Sequence, residues 1–154
     1  METIRLASEA DAEAICRVHQ RAIRLTCGET YSAAVVLPWA DARRPEMYLQ
    51  AMRDETMFVA ERAGSVVGFC CVLGNEVRGL YVDPETGRGT GSALLKRAEA
   101  VALQGDPAEV RLTSTLNAVP FYERQGYQRL HPATVRRPHR APLAVWEMSK
   151  PVAA

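Results

Sequence analysis

The sequence predicts a mixed α/β fold, with one sheet covered by helices, and three observations carry that reading. Short runs of alternating apolar residues mark strands, and amphipathic stretches mark helices on either side of them. The run from Val82 through a helix to Val110 reads as a β-α-β crossover, which places two parallel strands in an otherwise antiparallel sheet. At 154 residues, 47% hydrophobic and 24% charged, residues 1–154 are expected to form a single domain. Such a chain buries roughly 68–70% of the surface its unfolded form exposes, so its core needs no disulfide or structural metal.

Ile4 and Leu6 alternate with Thr3 and Arg5 as a first strand, and Ser8-Glu9-Ala10-Asp11 supplies a cap and an acidic first turn. Ile15, Val18, Ala22 and Ile23 then recur at helical spacing to about Leu25. His19 lies beside that stripe with no carboxylate, Ser or Cys partner placed near it, which favours a packed helix residue over a catalytic one. From Thr26 to Arg44 the pattern breaks, and the segment, with Gly28, Tyr31, Pro38 and Trp39, is expected to be a loop. Its two aromatics either anchor the loop on the core or line a substrate pocket, as candidate substrate contacts.

A second helix begins near Pro45. Met57–Glu61, Val66–Leu73 and Glu76–Val82 follow as strands joined at Ala63-Gly64-Ser65 and Gly74-Asn75, a meander. Leu94, Leu95, Ala98, Val101 and Ala102 stripe a helix over Ser92–Leu103, stopped by Gly105-Asp106-Pro107. Val110–Thr113 is a strand, Ala118–Gln125 a short helix closed by Gly126, and Tyr127–Leu130 and Leu143–Met148 the last strands. Pro132–Pro142 is expected to join them as a loop.

Composition excludes several classes. Nineteen Lys and Arg against 18 Asp and Glu leave a net charge of +1, which argues against bulk nucleic-acid binding. The beginning, Met1-Glu2-Thr3-Ile4-Arg5, lacks a signal-peptide apolar run, and Val66–Leu73 is far short of a membrane span, so a cytoplasmic location is expected. Cys16, Cys27, Cys70 and Cys71 lack metal-ligand or redox spacing and read as buried free thiols, with no metal expected. Cys27, in a polar stretch before Gly28, is the one weighed as a nucleophile.

The chemistry concentrates after Pro84. A glycine-rich turn between strand and helix is where a phosphate binds, because unpaired first-turn N–H groups sit at the positive end of the helix dipole. Gly87, Arg88, Gly89, Thr90, Gly91 and Ser92 form that turn, and Arg88 adds a cation. The spacing does not fit G-x-G-x-x-G, and no P-loop sequence is present, so the glycines after Pro84 either make only a tight turn or hold a nucleotide-bearing ligand on a non-Rossmann turn.

Leu80-Tyr81-Val82-Asp83-Pro84, followed by Gly87-Arg88-Gly89-Thr90-Gly91-Ser92-Ala93-Leu94-Leu95, resembles the acyl-coenzyme A pyrophosphate motif of the GNAT N-acetyltransferase superfamily. Asn117-Ala118-Val119-Pro120-Phe121-Tyr122-Glu123-Arg124-Gln125-Gly126-Tyr127 is similar to that family's second signature. The family's Gln or Arg falls on Thr86, and the segment between Pro84 and Gly87 is one residue shorter than the commonest spacing. The resemblance runs from the Ile4 strand to Met148. It implies a mostly antiparallel sheet with a parallel, splayed pair and helices on both faces.

It also implies acetyl transfer from acetyl-coenzyme A, as co-substrate, to a primary amine of a small molecule, peptide or protein within a ternary complex. In that scheme Tyr122 protonates the departing thiolate, and Asn117 lies near the coenzyme arm; from its position Asn117 is otherwise a helix cap, and both roles are compatible. Backbone N–H groups from Leu80, Tyr81 and Val82 polarise the carbonyl. Glu76 is the base, or else an exposed strand-start charge paired with Arg78; alternation is expected to put Glu76, Arg78, Leu80 and Val82 on one face. The basic run Val135–Arg140, with Arg137 as a candidate substrate contact, is a solvated loop, a lip selecting an acidic amine, or a surface facing a second subunit in a homodimer. The acceptor pocket is expected between Thr26–Arg44 and Pro132–Pro142. A catalytically silent acyl-coenzyme A sensor is the alternative; an acetyltransferase acting on charged transfer RNA would need a broad basic surface that the charge balance does not supply.

Overall fold

In the computed structural model, which describes residues 2–137 and 140–153, seven strands form one sheet. They are β1 (Glu2–Leu6), β2 (Thr56–Arg62), β3 (Ser65–Leu73), β4 (Glu76–Val82), β5 (Glu109–Thr115), β6 (Gln128–Arg137) and β7 (Arg140–Pro151), in the order β1-β2-β3-β4-β5-β7-β6. Only β4 and β5 pair in parallel, as the crossover reading requires. The Ala63-Gly64 and Gly74-Asn75 connections are tight enough to need positive φ at Ala63, Gly64 and Gly74.

Helices α1 (Ala12–Arg21), α2 (Ala33–Asp41), α3 (Pro45–Asp54), α4 (Gly91–Ala102) and α5 (Val119–Arg124) cover the sheet. On one face Leu94, Leu95 and Ala98 of α4 pack on Phe58, Cys70 and Val72, and Tyr122 and Tyr127 extend the same cluster. On the other face Ile15 and Val18 of α1 and Tyr48 of α3 pack on Val59, Phe69 and Cys71. Burying one such aliphatic or aromatic side chain contributes about 1.5–3 kcal/mol. His19 belongs to this second layer: it is buried, bonds Tyr48 Oη through Nδ1 at 2.8 Å, and is held well below the usual range by burial and then by Arg43.

Two expected loops are ordered elements. Thr26–Arg44 contains α2, despite Pro38 inside it, because Val36, Trp39 and Ala40 bury against Ile23, Leu143 and Val145. Tertiary burial there outweighs the proline's helix penalty of about 3 kcal/mol. In place of the expected Pro132–Pro142 loop, residues 132–137 belong to β6 and 140–142 to β7, which pair antiparallel with Ala133 opposite Val145 and Val135 opposite Leu143. Pro132 is tolerated because β6 is an edge strand, and Pro142 because β5 ends at Thr115, opposite Val145. Of the basic run, Pro138 and His139 lie outside the described residues.

The first turn is fixed by charge. Asp11 is buried and accepts bonds from the Arg5 guanidinium at 2.8 and 2.9 Å and from the Ser8 amide at 2.8 Å, which hold its carboxyl at about 2. An unfolded Asp titrates near 3.9, so this contribution to stability is complete above that pH and lost as pH falls through the folded value. The melting temperature is therefore expected to drop between about pH 5 and pH 2, and Asp11→Asn to flatten the slope. A variant whose slope equals the wild type's would contradict the assignment.

Candidate functional site

The site originates in a bulge. Val72 pairs with Val77 and Cys71 with Gly79, so Arg78 is an extra residue in β4. A bulge bends its strand and re-aims the residues beyond it. The parallel pairing of β4 with β5 accordingly covers only Glu76 with Arg111 and Val77 with Leu112. The Asp83 amide bonds the Val67 carbonyl of β3 at 2.7 Å, so by alternation the backbone groups of Leu80 and Val82 point to the side that β5 has left. The bulge also corrects the expected alternation: Glu76 shares a face with Tyr81, and Leu80 and Val82 lie on the other with Val77.

Two cavities meet at this gap, and both touch Tyr81 and Thr115. One, of about 220 Å³, is lined by Leu80, Val82, Gly91, Asn117, Phe121 and Tyr122 among others. The second, of about 370 Å³, lies between Glu76 and Arg78 at one end and Val135, Leu143 and Val145 of the hairpin.

The glycine turn borders the first cavity. Asp83 Oδ1 accepts the amides of Glu85 and Thr86 at 2.9 and 3.0 Å, and Arg21 of α1 reaches Oδ2 at 2.6 Å. Burial alone would raise the Asp83 carboxyl, but these bonds hold it at about 2. The Gly87 amide bonds Asp83 O at 2.9 Å and the Thr90 amide bonds Gly87 O at 3.0 Å, so these two amides shape the turn itself. Thr90 is fully buried and its hydroxyl donates to Glu2 at 2.7 Å. Among the described residues, the amides of Arg88, Gly89, Gly91, Ser92 and Ala93 have no backbone acceptor. They are the donors free for an anion at the start of α4.

Tyr122 is 6% exposed and lines the first cavity, and its hydroxyl has no hydrogen-bond partner among the described residues. Burial pushes its phenol well above the usual range and keeps it protonated. Asn117 sits in the turn Leu116–Ala118, and Ala118 caps α5, so Asn117 is not the expected helix cap. Its Oδ1 is buried without a partner, while its amide group lies against Cys27. Cys27 reaches the same cavity, but burial pushes its thiol up to about 11, the reverse of what a nucleophile needs.

The remaining candidates lie apart from this cavity. Glu76 lines the second cavity and pairs with Arg78 at 3.3 Å; Arg78 also faces the half-buried Glu55 at 3.9 Å. Tyr31, Trp39 and Arg137 form a cluster of their own and line neither cavity. The Arg137 guanidinium lies 5.6 Å over the buried Trp39 ring, and the Tyr31 hydroxyl donates to Ala144 O and accepts the Leu116 amide at 2.9 Å. Tyr31 thus anchors the turn that carries Asn117.

Sequence reasoning missed Ala22, Thr26 and Phe121 as lining residues. The chain after α1 widens into a π-helical turn, Ala22–Thr26, that faces the cavity; the break in helical spacing at Thr26 was its only signal.

The split sheet and the glycine turn with its free amides thus frame two cavities that share Tyr81 and Thr115. Residues 27–140 match the model of the acetyltransferase (GNAT) domain. The chain is 30% identical over 126 residues to an uncharacterized N-acetyltransferase, YafP, of Escherichia coli strain K12, covering 81% of this chain and 80% of the relative. A GCN5-related N-acetyltransferase from Rhodopseudomonas palustris superimposes with a TM-score of 0.91 at 23% identity, covering 99% of this chain and 96% of that one. PaiA N-acetyltransferase from Thermoplasma acidophilum, solved in complex with coenzyme A, does so with a TM-score of 0.77 at 22% identity, covering 99% of each chain. The chain belongs to the GNAT acetyltransferase family.

Gly87 is where the turn is most constrained. A Cβ there would stand 2.4 Å from Val67 O and 2.9 Å from Asp83 N and O, all backbone atoms. Gly87→Ala is expected to cost about 1–3 kcal/mol and lower Tm by several degrees, whereas Gly105→Ala, with open space around it, leaves Tm unchanged. Equal melting temperatures for the two variants would refute this packing.

Proposed function

We propose that the protein transfers an acetyl group from acetyl-coenzyme A to a primary amine by direct attack, without a covalent enzyme intermediate. The observation that carries this reading is the gap between β4 and β5: unpaired backbone groups of Leu80 and Val82, a partnerless Tyr122 hydroxyl on one side and Glu76 on the other. The residues fit the coenzyme. The free amides of the turn and Arg88 suit a pyrophosphate, and the orphaned Asn117 Oδ1 suits an amide N–H of the pantetheine arm. The coenzyme supplies an activated thioester.

The residues' tasks then divide. Glu76 takes a proton from the ammonium, directly or through water, to free the lone pair that forms the C–N bond. The amides of Leu80 and Val82 stabilise the charge developing on the carbonyl oxygen. Tyr122 gives its proton to the sulfur as the C–S bond breaks, and the products are an acetamide and the free thiol. The second cavity, with its charged Glu76–Arg78 end and apolar hairpin wall, is the acceptor side.

Excess acetyl-coenzyme A at a hundred times its Kd is expected to stabilise the protein by about 2.7 kcal/mol. With an amine panel, Tyr122→Phe is expected to lower kcat about 100-fold while KM for acetyl-coenzyme A stays within about twofold. Turnover that the variant leaves untouched would remove Tyr122 as the acid. Coenzyme-dependent stabilisation without turnover on any amine would favour a silent binder.

A further inference from the structure

Arg62, on β2 and outside the glycine motif, makes the most directed set of contacts to the turn. Its Nη1 donates to Thr86 O at 3.0 Å, and its Nη2 donates to Arg88 O at 2.8 Å and to Glu2 Oε2 at 3.0 Å. Glu2 Oε2 also accepts the buried Thr90 hydroxyl at 2.7 Å, so β1 and β2 together grip both ends of the turn. Gly89 passes directly over this group, with φ +84 and a Cβ position 3.9 Å from Arg62 Nη2.

Peptide geometry links these contacts to the direction of the amides. In a planar trans peptide the C=O and the next N–H point in opposite directions. Drawing Thr86 O to Arg62 turns the Gly87 amide the other way, where it meets Asp83 O at 2.9 Å. Drawing Arg88 O to the same guanidinium turns the Gly89 amide away from Arg62, and no backbone group among the described residues accepts it. The guanidinium also places a fixed positive charge behind a loop that would hold an anion. Only part of that charge is offset by Glu2, whose carboxylate is shared with Thr90.

We infer that Arg62 is a positioning residue for diphosphate binding: by holding the Thr86 and Arg88 carbonyls it aims the Gly89 amide at the ligand and pre-organises the turn. The inference rests on the turn being the coenzyme's pyrophosphate site. It assigns part of the binding strength to a side chain 24 residues before the first carbonyl it holds.

Three ligands separate the contributions: coenzyme A, dephospho-coenzyme A, which keeps the diphosphate but lacks the 3′-phosphate, and pantetheine, which has neither. Calorimetric Kd values are to be measured for the wild type, Arg62→Met and Arg62→Lys. Arg62→Met is expected to weaken coenzyme A and dephospho-coenzyme A equally, about tenfold or more, and to leave pantetheine unchanged. Arg62→Lys, which keeps the charge and the Glu2 partner but cannot span both carbonyls, is expected to fall between, and it carries the test if the Met variant does not fold. Equal weakening of all three ligands would make Arg62 merely structural and overturn the inference. So would unchanged affinities, or a loss confined to coenzyme A. A wild type that binds neither coenzyme A nor dephospho-coenzyme A would instead overturn the underlying function.

Discussion

One extra residue, Arg78, sets the architecture of the site. Its bulge bends β4 away from β5 after two paired positions, and a buried strand edge without a neighbour is costly unless something else satisfies it. The far end of the pair is pinned, since the Arg111 amide bonds Asn75 O at 2.9 Å and Asn75 Nδ2 bonds Glu109 O at 2.9 Å. The sheet is therefore closed at the start of β4 and open at its end. The cavity of Tyr122 and the glycine turn lie at the open end, while Glu76, at the closed end, lines the second cavity.

The two faces of the sheet then take different work. The α4–α5 side brings Gly91 against Phe121, where a Cβ on the glycine would stand 3.3 Å from the ring, and so seats Tyr122 in the first cavity. The opposite face carries Glu76, Arg78 and the hairpin wall. Tyr81, partly buried with its ring 4.1 Å from that of His19 on α1, borders both. The glycine turn in turn depends on arginines outside its own sequence: Arg21 tethers Asp83 and Glu85 to α1, and Arg62 holds two carbonyls of the loop from β2.

Much of the fold was legible because it is local. Alternation gave the meander, Pro45 the start of α3, and the apolar stripe at Leu94, Leu95 and Ala98 the helix on the first face. What the sequence hid is set by contacts distant along the chain. Pro38 reads as a helix breaker until Trp39 is seen buried against Leu143, and Pro132 reads as loop until β6 is seen at an edge. The bulge at Arg78 leaves no periodic trace in seven residues, so Glu76 was expected on the wrong face relative to Leu80. In the site, the glycines and Tyr122 were readable from their motifs. The lining by Ala22 and Thr26, marked in the sequence only by the break in helical spacing, and the capture of Tyr31 by Ala144 and Leu116 arise from tertiary packing.

In the proposed function, backbone amides left unpaired by the split sheet and the glycine turn form the donor-binding surface. Amide chemical shifts in 15N-labelled protein titrated with coenzyme A test it most directly. The largest changes are expected at the amides of Arg88, Gly89, Gly91 and Ser92 and at Leu80 and Val82, with Gly87 and Thr90, already bonded within the turn, moving less. Changes confined to Glu76, Arg78 and the β6–β7 hairpin, with the turn silent, would contradict it.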